Sequence, residues 1–308
     1  SAAFKGACAT SSSAYYCAPY DAGGVLKVPF VDDEHDIEML QWYYGLAQYE
    51  GPCVASTEAM YCAPCDADHV LKIRFRDDWR GSLTGITLTG ARQYAGACAS
   101  SGAAMYCAPA TAAHVLKVNF TDDHVTQLTG HTFVATSNYA IHYYGRCVTS
   151  AEAMYCAPYS ADHVLKVLFA DDSVVLLTNG PTLTGSSQYF GSCASSGDAM
   201  YCAPYDASHL LKVNFTNDMV SQLADLGDNM YQGACGVYRD AMFCAPFEAS
   251  PSYVLKVNFS EDSVTQLANY ELNEDSDLYA GACVAYPPLT PLSVSSDSHL
   301  CNEATLIR

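Results

Sequence analysis

Between Tyr94 and Leu128 the chain falls into four short apolar runs separated by turn formers. The first is Tyr94-Ala95-Gly96-Ala97-Cys98; a turn at Ser101-Gly102-Ala103 leads to the second, Met105-Tyr106-Cys107-Ala108. After Pro109 and a short polar linker, His114-Val115-Leu116-Lys117-Val118-Asn119-Phe120 alternates with period two. An acidic turn at Asp122-Asp123 precedes the last run, Val125-Thr126-Gln127-Leu128. Runs of this length bounded by Gly, Pro, Asp and Ser read as strands, because successive side chains of a strand point to opposite faces and turn formers end the pairing. No window sustains helical spacing. The pattern predicts four antiparallel strands.

The same unit recurs along the chain. An aromatic residue, Gly two positions on and Cys two beyond that occur from Phe4, Tyr49, Tyr94, Tyr143, Tyr189, Tyr231 and Tyr279. The unit is complete over 4–48, 49–93, 94–142, 143–188, 189–230 and 231–278, and a partial copy covers 279–308. Four antiparallel strands in a period of 40 to 50 residues are the signature of a β-propeller blade. We therefore expect an all-β fold, with residues 1–308 forming a single propeller domain. A ring closed by six blades leaves no slot for the strand at Tyr279, and the first copy already has its own first strand. The expectation is seven sectors, the last reduced to its inner strands; six blades plus a C-terminal cap is the alternative.

Nine residues separate the two cysteines of each copy: Cys8 and Cys17, Cys53 and Cys62, Cys98 and Cys107, Cys147 and Cys156, Cys193 and Cys202, Cys235 and Cys244. If Cys53 lies opposite Cys62, then 54 faces 61, 55 faces 60 and 56 faces 59, leaving a two-residue turn. Directly opposed residues have Cβ atoms about 4.5–5.5 Å apart, within a short closure of disulfide geometry. One disulfide per blade follows, with Cys283 and Cys301 joined in the partial copy. Zinc is the competing reading, but this spacing is not the short knuckle of a structural zinc site. Seven pairs leave Cys65 over, as a buried free thiol or an intermolecular half-cystine. Fifteen cysteines so placed imply an oxidising compartment.

The chain has 14 basic and 33 acidic residues, a net charge of −19. A field of that sign disfavours nucleic acid and anionic lipid as partners. No stretch approaches the roughly 20 apolar residues that span a bilayer. No charged-then-apolar leader precedes Ser1, so a chain that is processed, or that never had one, is expected.

The units Tyr16 to Leu26, Tyr155 to Leu165 and Tyr201 to Leu211, of the form Tyr-Cys-Ala-Pro-Tyr-x-Ala-x-x-Val-Leu, resemble propeller repeats found in proteins of marine microalgae such as diatoms and dinoflagellates, related in pattern to kelch and NHL-type propellers. The resemblance implies the propeller fold over almost the whole chain. It implies no activity, since one fold carries many functions. The chain departs from that pattern in its short Asp-Asp turn, where many such repeats have a longer one containing Pro.

In a propeller the first strand of each blade lines the central channel, and this placement sorts the remaining residues. The glycines Gly51, Gly96, Gly145, Gly191 and Gly233 belong where blades crowd. Lys27, Lys72, Lys117, Lys166, Lys212 and Lys256 recur at one place on the third strand, and pairing with the acidic turns is their plain role. His69, His114, His163 and His209 recur just before the third strand, near Asp66, Asp68, Asp162 and Asp206. They are weak candidates for a divalent cation, each otherwise capping its own turn. The same face carries Tyr20, Tyr159, Tyr205 and Phe247 after the proline, and Trp42, Tyr43, Tyr44, Phe133, His142, Tyr143 and Tyr144 in the loops between blades. Aromatics exposed on loops over a rigid frame suit contact with a protein or a glycan. Asn119, Asn214 and Asn258 head sequons at one repeat position, compatible with the secretory route.

No nucleophile elbow, phosphate loop, His-Glu-x-x-His or dinucleotide fingerprint occurs. The expected function is a non-enzymatic interaction module without cofactor, a subunit of a larger assembly that is secreted or lies in an organelle lumen such as the thylakoid's. A sugar-binding surface glycoprotein and a metal-dependent hydrolase or lyase using the histidines are the alternatives.

Overall fold

The computed structural model describes residues 4, 8–30, 37–41, 48–51, 53–96, 98–134, 141–191, 193–227, 231, 235–246 and 253–267. Trp42, Tyr43, Tyr44, Phe247, Gly233 and the partial copy 279–308, with Cys283 and Cys301, lie outside them. Within the described residues there are six four-stranded antiparallel sheets and no helix. The first holds β1 (Cys8–Thr10), β2 (Ala14–Cys17), β3 (Gly24–Pro29) and β4 (Glu38–Gln41); the second holds β5 (Cys53–Ala55), β6 (Ala59–Cys62), β7 (Leu71–Arg74) and β8 (Arg80–Ser82). The others repeat this meander over 98–128, 147–177, 193–225 and 236–267. Each sheet is a blade, and the fold is a β-propeller.

The hairpin that opens each blade has the register its cysteine spacing dictates. Cys53 faces Cys62, Val54 faces Tyr61, Ala55 faces Met60, and Ser56 N–H donates to Ala59 O at 2.8 Å, so Thr57 and Glu58 form the turn. Six disulfides join these pairs, one in each described blade, with Cα atoms 3.9 to 4.3 Å apart. Ala55, Ser100 and their counterparts end a first strand that is only three residues long. In the first five sheets it starts at the cysteine, and in the sixth at Gly236, not at the aromatic residue as the spacing suggests. The preceding Tyr leaves the sheet and buries itself, its hydroxyl donating to the backbone carbonyl just before the third strand of its own copy. Tyr49 reaches His69 O at 3.2 Å, Tyr94 reaches His114 O at 2.9 Å, and Tyr189 reaches His209 O at 3.1 Å. Burial pushes the Tyr94 hydroxyl up to about 12, and the Gln127 amide opposes that shift.

The chain divides into two compact units, 1–178 with 182–184 and 179–181 with 185–308. In the first, cores lie between consecutive blades. Ala14, Tyr16 and Val25 of blade 1 meet Met60, Cys62, Leu71 and Ile73 of blade 2; Tyr61 and Val70 of blade 2 meet Met105, Leu116 and Val118 of blade 3; Tyr106 and Val115 meet Met154, Leu165 and Val167 of blade 4. The second unit repeats the scheme with Tyr201 and Leu210 of blade 5 against Met242, Leu255 and Val257 of blade 6. The second strand therefore sends Met to one neighbour and Tyr to the other. This is why, in blades 2 to 5, all four of its residues are buried and it reads as a continuous apolar run. Each such side chain contributes roughly 2 kcal/mol by leaving water.

Glycine is required where blades converge. A Cβ on Gly51 would stand 2.8 Å from Tyr94 O and 3.0 Å from Gly96 O, and one on Gly96 would stand 2.5 Å from Tyr144 Cα. Only a residue without a side chain lets these backbones approach so closely.

Candidate functional site

The recurring charged residues are committed to holding blades together. Tyr61 and Lys72 sit opposite each other on β6 and β7, with the ammonium 5.3 Å from the ring centre. Both donate to Asp123 in the acidic turn of the next blade, Tyr61 Oη at 2.9 Å and Lys72 Nζ at 2.7 Å, while Phe120 of that blade stacks on the Tyr61 ring at 4.7 Å. The same latch joins Tyr16 and Lys27 to Asp78, Tyr106 and Lys117 to Asp172, and, in the second unit, Tyr201 and Lys212 to Asp262. The acceptor is always the second member of the acidic pair. It has a left-handed backbone, with φ of 54° at Asp78, 59° at Asp123, 60° at Asp172 and 53° at Asp262. Glycine is the unstrained choice there; the carboxylate bridging to the neighbouring blade is what an Asp adds. Burial alone would raise the Asp262 carboxyl, but the Lys212 and Tyr201 hydrogen bonds overcome it and hold the group below its usual range. The first member caps its own turn, as Asp122 Oδ1 does in accepting His124 N–H at 3.0 Å.

The sequon asparagines share that turn. Asn119 Oδ1 accepts Thr121 N–H at 2.9 Å, Asn214 Oδ1 accepts Thr216 N–H at 2.9 Å, and Asn258 Oδ1 accepts Ser260 N–H at 3.1 Å.

The four histidines serve their own blades. His69 Nδ1 lies 2.7 Å from Asp68 Oδ1, His114 Nδ1 donates to His131 O at 3.0 Å, and His209 Nδ1 faces Ser208 Oγ at 2.7 Å. His163 gives its backbone carbonyl to the Tyr143 hydroxyl at 3.0 Å. Among the described residues no three His, Cys, Asp or Glu side chains are arranged to hold a metal ion. The imidazoles of His69, His114 and His209 are each turned to a partner next to them in sequence or in their own blade.

The residue after the proline occupies a fixed place in a relay of backbone hydrogen bonds. Gln48 N–H donates to Tyr20 O, Cys65 N–H to Gln48 O, Gln93 N–H to Cys65 O, Ala110 N–H to Gln93 O, His142 N–H to Ala110 O and Tyr159 N–H to His142 O, at 2.8 to 3.1 Å. Because main-chain atoms carry the relay, the side chain at this position is free to vary, and it is Tyr, Cys or Ala. Tyr20, Tyr159 and Tyr205 are half-buried rather than displayed. The Tyr159 ring packs on Tyr144 at 5.7 Å, and in the second unit Tyr205 packs on Phe190 at 5.5 Å. Tyr143 and Phe133 are fully inside and are not loop contacts at all. Their sequence position just before the blade suggested exposure; the packing of the signature Tyr overrides it.

Blades 2 to 4 break the repeat here. Blade 3 contributes Ala95, Ala110 and Ile141, and the Tyr144 hydroxyl of blade 4 reaches past the two alanines to donate to Glu50 Oε1 of blade 2 at 2.6 Å. Cys65 fills the same apolar cluster, 1% exposed, with its Sγ 3.5 Å from Glu50 Oε2 and 3.6 Å from Asp66 Oδ1. Arg92 N–H donates to Asp66 at 2.7 Å. Burial, and then the Asp66 and Glu50 charges, push the Cys65 thiol up, so it stays protonated and unreactive. Cys65 is thus the free cysteine of the described residues, and it is buried. Spacing alone did not expose this cluster, since Glu50 and Tyr144 lie 94 residues apart. The signal that was present was the loss of the post-proline aromatic at Cys65 and Ala110 together.

No protein-family model matches the sequence, and no curated protein matches it. Among solved structures it is similar to the extracellular domain of BT4673 from B. thetaiotaomicron, at 8% identity and TM-score 0.57 over 91% of this chain, which spans only 35% of that one. It is also similar to virginiamycin B lyase from Staphylococcus aureus, at 7% identity and TM-score 0.58 over 92% of this chain and 89% of that one. Sqt1 from Saccharomyces cerevisiae matches at 10% identity and TM-score 0.59, over 84% and 72% of the two chains. At such identities the likeness is one of fold.

Proposed function

We propose that the chain is a non-enzymatic interaction module, a rigid scaffold that docks to a protein assembly in an oxidising compartment, secreted or within an organelle lumen. The carrying observation is the double cross-linking. A disulfide staples each described blade, and a Tyr-Lys-Asp latch ties blade to blade, so loops on the frame are presented at little entropic cost. Six disulfides suit an oxidising environment. No helix of the described residues is long and apolar enough to cross a membrane. The docking face is that of the relay, where Tyr20, Tyr159 and the histidine loops lie and where backbone bonds let side chains vary. The resemblance to microalgal repeats supports a lumenal or extracellular setting in such a cell.

Gentle isolation of the native chain without reductant, followed by identification of what travels with it in stoichiometric amount, tests this reading. A defined protein partner that is lost on Tyr159→Ser with His163→Ser supports it. A chain that runs alone, or a partner indifferent to that pair of substitutions, overturns it.

A further inference from the structure

Blade 2 departs from its sister copies on the opposite face, at the turn between its third and fourth strands. Where blade 3 has Asn119, Thr121, His124, Val125 and Thr126, blade 2 has Arg74, Arg76, Trp79, Arg80 and Gly81. These changes fit one another. The Trp79 ring lies across Gly81, where a Cβ would overlap it, and the Arg74 guanidinium stacks on that ring at 4.8 Å while Asp77 holds its end at 3.0 Å. Arg80 is tied back by Gln41 O at 2.9 Å. Arg74 is thereby held in place, yet its Nε is buried without a hydrogen-bond partner. It lines a cavity of about 570 Å³ together with Arg76, Ser12, Ser13, Thr57, Glu58 and Lys72, whose ammonium is held by Asp123. Arg76 is 78% exposed beside it, its Nε 3.6 Å from the same Asp77 oxygen.

We propose that this cavity binds a small saccharide carrying one acidic group, a carboxylate or a sulfate. The chemistry selects that class in three ways. Arg74 and Arg76 offer planar donors for one oxyanion. Ser12, Ser13, Thr57 and Glu58 offer donors and acceptors matched to sugar hydroxyls, and the Glu58 carboxylate repels a second anionic group. The net charge of −19 disfavours any extended polyanion, whether nucleic acid or heavily sulfated chain. The site lies on a different face from the proposed protein-docking surface and stands or falls without it.

The test uses the full disulfide-bonded chain, titrated by calorimetry and saturation-transfer NMR with galacturonic acid disaccharide and galactose 6-sulfate. Neutral galactobiose, inorganic sulfate and triglutamate are the comparisons. The control variant is Arg74→Leu with Arg76→Ala, the residues of the fourth copy, which keeps the turn a blade already tolerates. Saturable binding of either acidic sugar below about 5 mM, at least about tenfold tighter than galactobiose, sulfate and triglutamate and at least about tenfold weaker in the variant, bears the proposal out. No binding at that concentration, equal binding of sulfate or triglutamate, or affinity unchanged in a variant with native melting behaviour, overturns it.

Discussion

Two buried polar arrangements in the first unit do opposite things with the same chemistry. The Tyr-Lys-Asp latch recurs at consecutive blade junctions, each time with a tyrosine hydroxyl and an ammonium on one carboxylate. The Glu50-Cys65-Tyr144 cluster occurs once and reaches across an intervening blade. The first is uniform because every blade presents the same two faces to its neighbours, so any copy that lost the latch would leave a charge half-buried and unpaired. The second is possible because the relay beneath it is made of main-chain atoms, which tolerate Tyr, Cys or Ala above them. The lesson is that repetition is enforced where side chains carry the junction and relaxed where the backbone does.

The largest test of that contrast is Gly96→Ala. Its Cβ would meet the Tyr144 backbone at 2.5 Å, with no flexible atom to give way, and we expect a loss of more than about 3 kcal/mol in denaturant unfolding. Gly102→Ala, in open space at a turn with φ of 88°, should cost only about 1 kcal/mol. Next comes the latch. Asp123→Ala strands Lys72 and the Tyr61 hydroxyl, and about 2 kcal/mol should be lost after allowing for the carboxylate's partial exposure. Asp123→Gly should lose less, because it relieves the left-handed backbone while giving up the same bonds. A double-mutant cycle with Lys72→Met would show coupling if the pair acts as one unit.

Tyr144→Phe should cost about 1 kcal/mol, a single hydrogen bond to Glu50, with no effect on other junctions. The Cys65 thiol should resist alkylation in the native chain and react only on unfolding, which peptide mapping would read directly. The smallest effect is pH dependence. Burial, helped by His131, holds the His142 imidazole below its usual value, so the unfolded chain takes up its proton first. Stability from that group is complete above about pH 6.5 and is lost as pH falls below it. The Asp262 carboxylate, held below its usual range, adds a second loss only as pH falls through the acid range beneath about 3.8. A melting profile that fell instead as pH rose from 6 to 8 would contradict the His142 assignment.

Much of the fold was legible in the order of residues because the information is local. A nine-residue spacing decides which cysteine faces which, period-two alternation decides which side chains share a face, and an Asp-Asp pair decides where the chain turns. Each of these needs only neighbours a few residues away. The start of the first strand at the cysteine, the burial of Tyr143 and Phe133, the hydroxyl of Tyr61 on Asp123 and the reach of Tyr144 to Glu50 were settled only when blades stacked. Those contacts join residues dozens of positions apart, and their formation depends on how much room the blade between them leaves. Ala95 and Ala110 read in sequence as ordinary small residues. Only the packed structure makes them the gap through which two distant blades touch, since van der Waals volume acts between surfaces and not along the chain.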